Sequence, residues 1–141
     1  MRILVISDSH GRNDDVAGVI RQVGDIDMLI HCGDVERGDD YIRSLVDCPV
    51  YMVSGNNDYN LDLPPKVILQ IENYKVMVVH GHMYHVYRDT RYLKKVALEN
   101  QVRAYPCAVY RYWAGYYNPE SGQPFLSTAG RPKAYLSFDG D

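Results

Sequence analysis

The chain has 141 residues, 46% of them hydrophobic and 23% charged, enough for one domain with an ordinary core. Its 18 acidic and 15 basic residues leave a net charge of −3, so no cationic surface draws it to nucleic acid or anionic lipid; a phosphorylated ligand would need a local positive centre. Cys32, Cys48 and Cys107 show neither the paired spacing of a zinc site nor the even count of a disulfide framework, which predicts reduced thiols and a cytoplasmic protein.

Met1-Arg2 leads straight into a strand-like run, Ile3 to Ser7, so no signal peptide is expected, and no apolar stretch is long enough to span a bilayer. A helix is predicted from about Asp14 to Val23, a strand over Met28 to Cys32, a helix over Asp39 to Val46 and a strand over Val50 to Val53. Strands at Val67 to Ile71 and Val76 to Val79 follow, then a helix from about Thr90 to Asn100. Uninterrupted apolar strands separated by helices indicate an α/β fold with a mostly parallel sheet covered on both faces. Beyond Asn100 the character changes. Tyr105, Tyr110, Tyr112, Tyr116 and Tyr117 crowd around Trp113 among prolines, with no clear periodicity apart from a last strand expected at Ala134 to Phe138. There are no internal repeats, no linker suggests a second domain, and no oligomeric state can be read.

Each of the first three strands ends in a polar, glycine-bearing loop: Ser7-Asp8-Ser9-His10-Gly11, then Gly33-Asp34, then Ser54-Gly55-Asn56-Asn57-Asp58. His80-Gly81-His82 follows the strand at Val76 to Val79 in the same manner. In open α/β sheets the carboxyl ends of strands line one edge, so these four loops are expected to converge. Asp, His and Asn side chains suit Mn, Fe, Zn or Mg ions, and an aspartate can bridge two ions. In Asp8-x-His10 an extended backbone would turn the middle residue away and set both ligands on one side. Gly33 and Gly55 would permit tight turns and close approach of the cluster. Any one of these motifs alone reads as an ordinary turn; all four at strand ends, in one order, do not.

Through Ile6-Ser7-Asp8-Ser9-His10-Gly11, Ile30-His31-Cys32-Gly33-Asp34, Gly55-Asn56-Asn57-Asp58 and Val79-His80-Gly81-His82 the chain resembles the calcineurin-like metallophosphoesterase superfamily, and within it the small single-domain bacterial and archaeal phosphodiesterases. The resemblance covers residues 1 to about 100. It implies a four-layer α-β-β-α sandwich formed by one domain over residues 1–141, altered after about residue 100, where the tail would normally add strands to a second sheet. It implies that Asp8 and His10 bind one metal, that Asp34 bridges, and that Asn56 and His80 bind a second. Two divalent ions, Mn first and Fe, Zn, Ni or Mg as alternatives, would hold the phosphate of a small substrate, with a phosphodiester favoured. They would lower the pKa of a bridging water, whose hydroxide attacks phosphorus in line. Asp34, Asn57 and His82 are the expected catalytic residues.

Many members of the superfamily place a histidine directly after the metal-binding asparagine; here that position is Asn57. A neutral amide is a poor general acid, which predicts a preference for good leaving groups and a hydrogen bond from Asn57 to phosphate. Asp58 is expected to orient a ligand from behind. His31 is read as a buried strand-end residue, and His82 and His85 as supporting or phosphate-facing groups rather than ligands. An aspartyl nucleophile at Asp8 is a poorer reading, because that chemistry usually wants Asp-x-Asp and the second position is His10.

The superfamily's last ligand pair, Gly-His-x-His, is absent: the chain has 5 histidines and the last is His85. Val102 to Val109 can be encoded as GTA CGG GCA TAC CCA TGC GCC GTT, and dropping the first base yields Tyr-Gly-His-Thr-His-Ala-Pro with family-like flanks. Gly122-Gln123-Pro124-Phe125 can be read as Gly-Ser-Leu-Ser in the same frame, which favours a tail translated out of frame from between Glu99 and Arg103. The rival is an in-frame remnant, since Asn118-Pro119-Glu120-Ser121 resembles the family's Asn-Pro-Gly-Ser as it stands. Either way the expectation is a phosphoesterase weakened in metal affinity, with a catalytically inactive metal- or phosphate-binding module as the alternative.

Overall fold

The computed structural model describes residues 1–102 and the backbone of two further strands, 113–117 and 124–126. Strand β1 (Ile3–Ser7) pairs in parallel with β2 (Met28–His31), which pairs in parallel with β3 (Val50–Met52). Helix α1 (Asn13–Val23) and the short α2 (Asp39–Ser44) make the crossovers that parallel pairing requires. Strands β4 (Lys66–Ile71) and β5 (Tyr74–Val79) form a separate two-stranded sheet, followed by a 3₁₀ turn at His82–Tyr84 and helix α3 (Arg91–Glu99).

Side-chain alternation builds the layers. On β1, Ile3 and Val5 point the same way as Met28 and Ile30, and meet Leu69, Val76 and Val78 of the second sheet in one buried cluster. Leu4 and Ile6 point the other way, with Leu29 and Met52, and pack on Val16 and Ile42 from the first two helices. The far face of β5 presents Met77 and Val79 to Leu93 and Ala97 of α3. The result is helix, sheet, sheet, helix: the four-layer sandwich expected from the motifs.

Three details differ from the sequence reading. The sheet is not one mostly parallel array, because β4 and β5 are antiparallel, with Ile71 opposite Tyr74 across a two-residue turn at Glu72-Asn73. A connection that short cannot carry a parallel crossover. The two described strands of the tail join the first sheet: β6 (Trp113–Tyr117) pairs antiparallel with β1, and β7 (Pro124–Leu126) with β6, giving the order β3-β2-β1-β6-β7. Helix α2 stops at Ser44 rather than Val46. The strand expected at Ala134 to Phe138 lies outside the described residues, and among those described no helix is long and apolar enough to cross a membrane.

Candidate metal centre

Two loops zip together by backbone bonds at the carboxyl edge of the first sheet. The Asp8 amide donates to the Gly33 carbonyl at 2.9 Å, His10 to Asp34 at 2.9 Å and Gly11 to Val35 at 2.9 Å. Asp8, His10, Asp34 and Glu36 all adopt left-handed backbone, with φ of 55°, 48°, 56° and 60°. An extended Asp8-x-His10 is therefore a wrong expectation: β1 ends at Ser7, and left-handed residues at both ligand positions are what bring the two side chains to one side. Such conformations cost on the order of 1–3 kcal/mol each for non-glycine residues and gather at functional sites.

The third loop closes on the second through Asp34. Asn57 donates its backbone N–H to Asp34 Oδ1 at 2.9 Å and its Nδ2 to Oδ2 at 2.7 Å, gripping both carboxylate oxygens. Asp58, buried, accepts from the amides of Glu36 at 2.6 Å and Gly55 at 2.7 Å, tying the loops together from behind. The two glycines are required by the closeness of this packing. A Cβ at Gly33, whose φ is +103°, would lie 2.7 Å from the Gly55 nitrogen and 2.8 Å from His80 Cδ2, and one at Gly55 would run into the Asp34 carboxylate.

His80 arrives from the second sheet, at the end of β5. Its Nε2 lies 3.5 Å from Asp8 Oδ1 and 3.6 Å from Asp34 Oδ2. Asp8, Asp34 and His80 are all buried, and each offers a donor atom within 4.8 Å of the others. His10 Nε2 faces the same two carboxylates at 3.9 and 3.8 Å. Asn56 is exposed, so the buried trio forms without it. His82 is half-buried, with Nδ1 3.1 Å from His80 Nδ1, while His85 is exposed. Asn57 donates to both oxygens of Asp34, a contact the sequence reading did not anticipate.

The environment explains the charge states. Burial pushes the Asp8 carboxyl up, but His80, the Ser7 hydroxyl and His10 outweigh it and hold the group below its usual range. His31, fully buried, is driven down to about 4 by desolvation, against the pull of Asp58 and Asp8. A neutral His31 has one donor and one acceptor nitrogen. Since the Gly33 amide donates to Nδ1 at 3.2 Å, Nε2 carries the proton and donates to Ser9 Oγ at 2.9 Å. His31 is thus a strut between the first two loops, the buried strand-end role its sequence context predicts.

A divalent cation fits this donor set. Two buried carboxylates facing one another repel, and among the described residues His80 Nε2 is buried without a hydrogen-bond partner, a condition that costs on the order of 1–3 kcal/mol. A cation between Asp8, Asp34 and His80 removes both penalties, with oxygen and imidazole ligands of the hardness that such ions prefer. Glu36, whose Oε1 lies 2.5 Å from His10 Nδ1, was missed from sequence. A signal was present: Asp34-x-Glu36 repeats the spacing of Asp8-x-His10.

Comparison with known proteins agrees with this architecture. Residues 1–110 match the model of the calcineurin-like phosphoesterase superfamily domain, and the chain belongs to that superfamily. It is 38% identical over 103 residues to a probable metallophosphoesterase of Methanocaldococcus jannaschii, covering 70% of this chain and 53% of that protein. It is 34% identical over 85 residues to the probable metallophosphoesterase YsnB of Bacillus subtilis, covering 60% and 48% respectively. The chain thus spans about half the length of these curated relatives. A conserved Streptococcus pneumoniae TIGR4 protein, named as a predicted phosphoesterase, shares the fold with a TM-score of 0.63 at 23% identity, over 83% of each chain.

Proposed function

We propose that this chain is a metal-dependent phosphoesterase acting on a small phosphorylated substrate, with a phosphodiester preferred, and that loss of the last histidine pair leaves its activity low. The observation that carries the reading is the buried trio Asp8, Asp34 and His80, in which His80 Nε2 faces both carboxylates at 3.5 and 3.6 Å but has no hydrogen-bond partner among the described residues. Asp8, Asp34 and His80 would hold the cation from the described side, His10 completes the ring of donors, and Asn56 stands at the exposed margin where a second ion would sit. Mn is the first candidate, with Fe, Zn, Ni or Mg as alternatives, because mixed Asp, His and Asn sets accept all of them. Such ions supply Lewis acidity at phosphorus, a more acidic water and neutralisation of developing charge.

The protein's own residues do the positioning. Asn57 fixes both oxygens of Asp34, so this carboxylate is held in place toward the site. Without an imidazole at position 57 to protonate the leaving oxygen, aryl esters should be cleaved faster than alkyl ones. His82 supports His80. The negative net charge and the absence of cationic patches in the sequence argue against nucleic acid or membrane as partner, and cysteines without the even count of a disulfide framework favour the cytoplasm.

A second reading, an inactive metal-binding module, is favoured by the exposure of Asn56, which leaves Asp8, Asp34 and His80 as the buried donor cluster among the described residues. Metal content together with hydrolysis of bis-p-nitrophenyl phosphate separates them. Slow hydrolysis that requires added Mn supports the proposal. Metal retention without hydrolysis supports the second reading, and neither binding nor hydrolysis removes both. Fast turnover at micromolar Mn would contradict the impairment. The out-of-frame tail is tested apart, by the gene's nucleotides around codons 95 to 130.

A further inference from the structure

We propose that Glu36 is a positioning residue that fixes the proton of His10 on Nδ1 and so turns the Nε2 lone pair to the cation. The inference rests on the metal-binding reading above and adds to it a residue outside the expected ligand set. Glu36 Oε1 lies 2.5 Å from His10 Nδ1, and the carboxylate is two-thirds covered, with a side-chain exposure of 34%. A carboxylate can only accept, so the nitrogen facing it must carry hydrogen. The other nitrogen, Nε2, then presents its lone pair toward Asp8 and Asp34, where the cation belongs. Histidine ligands are commonly held this way by an outer carboxylate, which sets ring orientation as well as tautomer.

The placement of Glu36 is itself built. Its backbone is left-handed at φ 60°, and its amide donates to Asp58 Oδ1 at 2.6 Å. Asp58 also receives the Gly55 amide, so one buried carboxylate from the third loop holds the residue that holds His10. The arrangement makes the first two loops reciprocal. In Asp8-x-His10 both side chains face the cation; in Asp34-x-Glu36 the first faces the cation and the second braces the first loop's histidine. Exposed water at Glu36's position could not do the same, because water both donates and accepts and would leave the tautomer unfixed.

Imidazole nitrogen NMR on the metal-free protein at alkaline pH tests this directly, with His10 assigned by the loss of its signals in His10→Gln. Wild-type His10 should show the Nδ1–H tautomer. Glu36→Leu should shift the ring to the Nε2–H form, and Glu36→Gln, whose amide can accept or donate, should no longer hold it in one form; Glu36→Ala makes the same comparison if the leucine variant folds poorly. An Nε2–H or doubly protonated His10 in wild type, or a tautomer indifferent to Glu36→Leu and Glu36→Ala, would overturn the proposal. Cobalt titration supplies the second arm. Glu36→Leu should weaken Co(II) binding about 10- to 100-fold in the wild-type background and leave it unchanged in His10→Ala. Equal losses in both backgrounds mean that Glu36 does not act through His10. A wild-type protein that binds no Co(II) would remove the metal reading while leaving the tautomer result standing.

Discussion

The two halves of the candidate centre are built differently. Asp8, Asp34 and His80 are nearly sealed from solvent, at 7%, 3% and 7% exposure, and each is held by neighbours: Ser7 on Asp8, Asn57 on Asp34, His82 at His80. Asn56 and His85, by contrast, are exposed, and His82 is only half-buried. The buried half is held by the paired left-handed loops and by the absence of side chains at Gly33 and Gly55. Affinity for a first cation should therefore reside in the buried half, and differences between substrates in the exposed one.

The sharpest way to break this contrast is to compare Asp34→Ala with Asn56→Ala. Asp34→Ala removes the carboxylate faced by both His10 and His80 and frees the two donors of Asn57. Metal affinity measured by calorimetry should fall by more than about 100-fold, beyond what outer partners usually cost, and Mn-dependent hydrolysis should drop to background. Asn56→Ala should cost first-cation affinity far less. Equal losses would show that the exposed margin holds that cation as firmly as the buried trio does.

A second test separates site from scaffold. Leu93 is fully buried on α3 against Met77 and Val79, in the layer farthest from the first sheet. Leu93→Ala should lower unfolding free energy by about 2–5 kcal/mol in denaturant titration, while the metal affinity of the folded fraction stays at the wild-type level. A parallel loss of affinity would mean that His80, carried by the same β5, is positioned by this outer layer and not by the loop contacts.

His31 gives the contrast a pH dependence. Its ordinary value of 6.5 is driven to about 4 by burial, so the unfolded chain takes up the proton first. Stability from keeping His31 neutral is fully present above 6.5 and is lost as pH falls toward about 4, a change on the order of 3 kcal/mol. Asp8 acts in a lower window: its depressed carboxyl contributes above its usual 3.8 and is lost below that. Urea midpoints between pH 7 and 4 should therefore fall in wild type and stay nearly flat in His31→Gln, even if that variant starts less stable. A wild-type profile as flat as the variant's would remove His31 as the strut.

Much of this was legible in the sequence because it depends on local pattern. Ile3 to Ser7 alternates sides within an apolar run, and β1 forms over those residues; α1 and α3 lie within a residue of their expected starts. What was not legible depends on pairing. The Ile71 to Tyr74 connection could have been recognised as too short for a crossover, yet which sheet β5 joins is decided by Val76 and Val78 packing across to Ile3 and Val5. The backbone at Asp8 and His10 escapes a sequence reading because left-handed conformation is uncommon for non-glycine residues overall and is imposed here by the bonds to Gly33 and Asp34. That Asn57 holds Asp34 is set by the third loop's approach, which spacing alone does not reveal. The tail's aromatics show no periodicity, and β6 forms by pairing with the edge of β1.

The smallest expected effect concerns His82, where the two halves meet. Burial first, and then neighbouring His80, depress its basicity, so near neutral pH it is an uncharged ring. Its Nδ1 is 3.1 Å from His80 Nδ1, and one of the two must donate. For His80 Nε2 to face a cation with its lone pair, His80 must carry its proton on Nδ1, which makes His82 the acceptor. His82→Ala should then weaken metal binding about 10-fold, the lower end for a lost outer partner, and leave kcat unchanged once metal is saturating. A histidine that instead donated a proton to the leaving group would give the opposite split, with affinity retained and kcat reduced at saturating metal. Measuring both constants on one variant decides whether His82 belongs to the buried half, as a brace for His80, or to the exposed half, as a group that touches substrate.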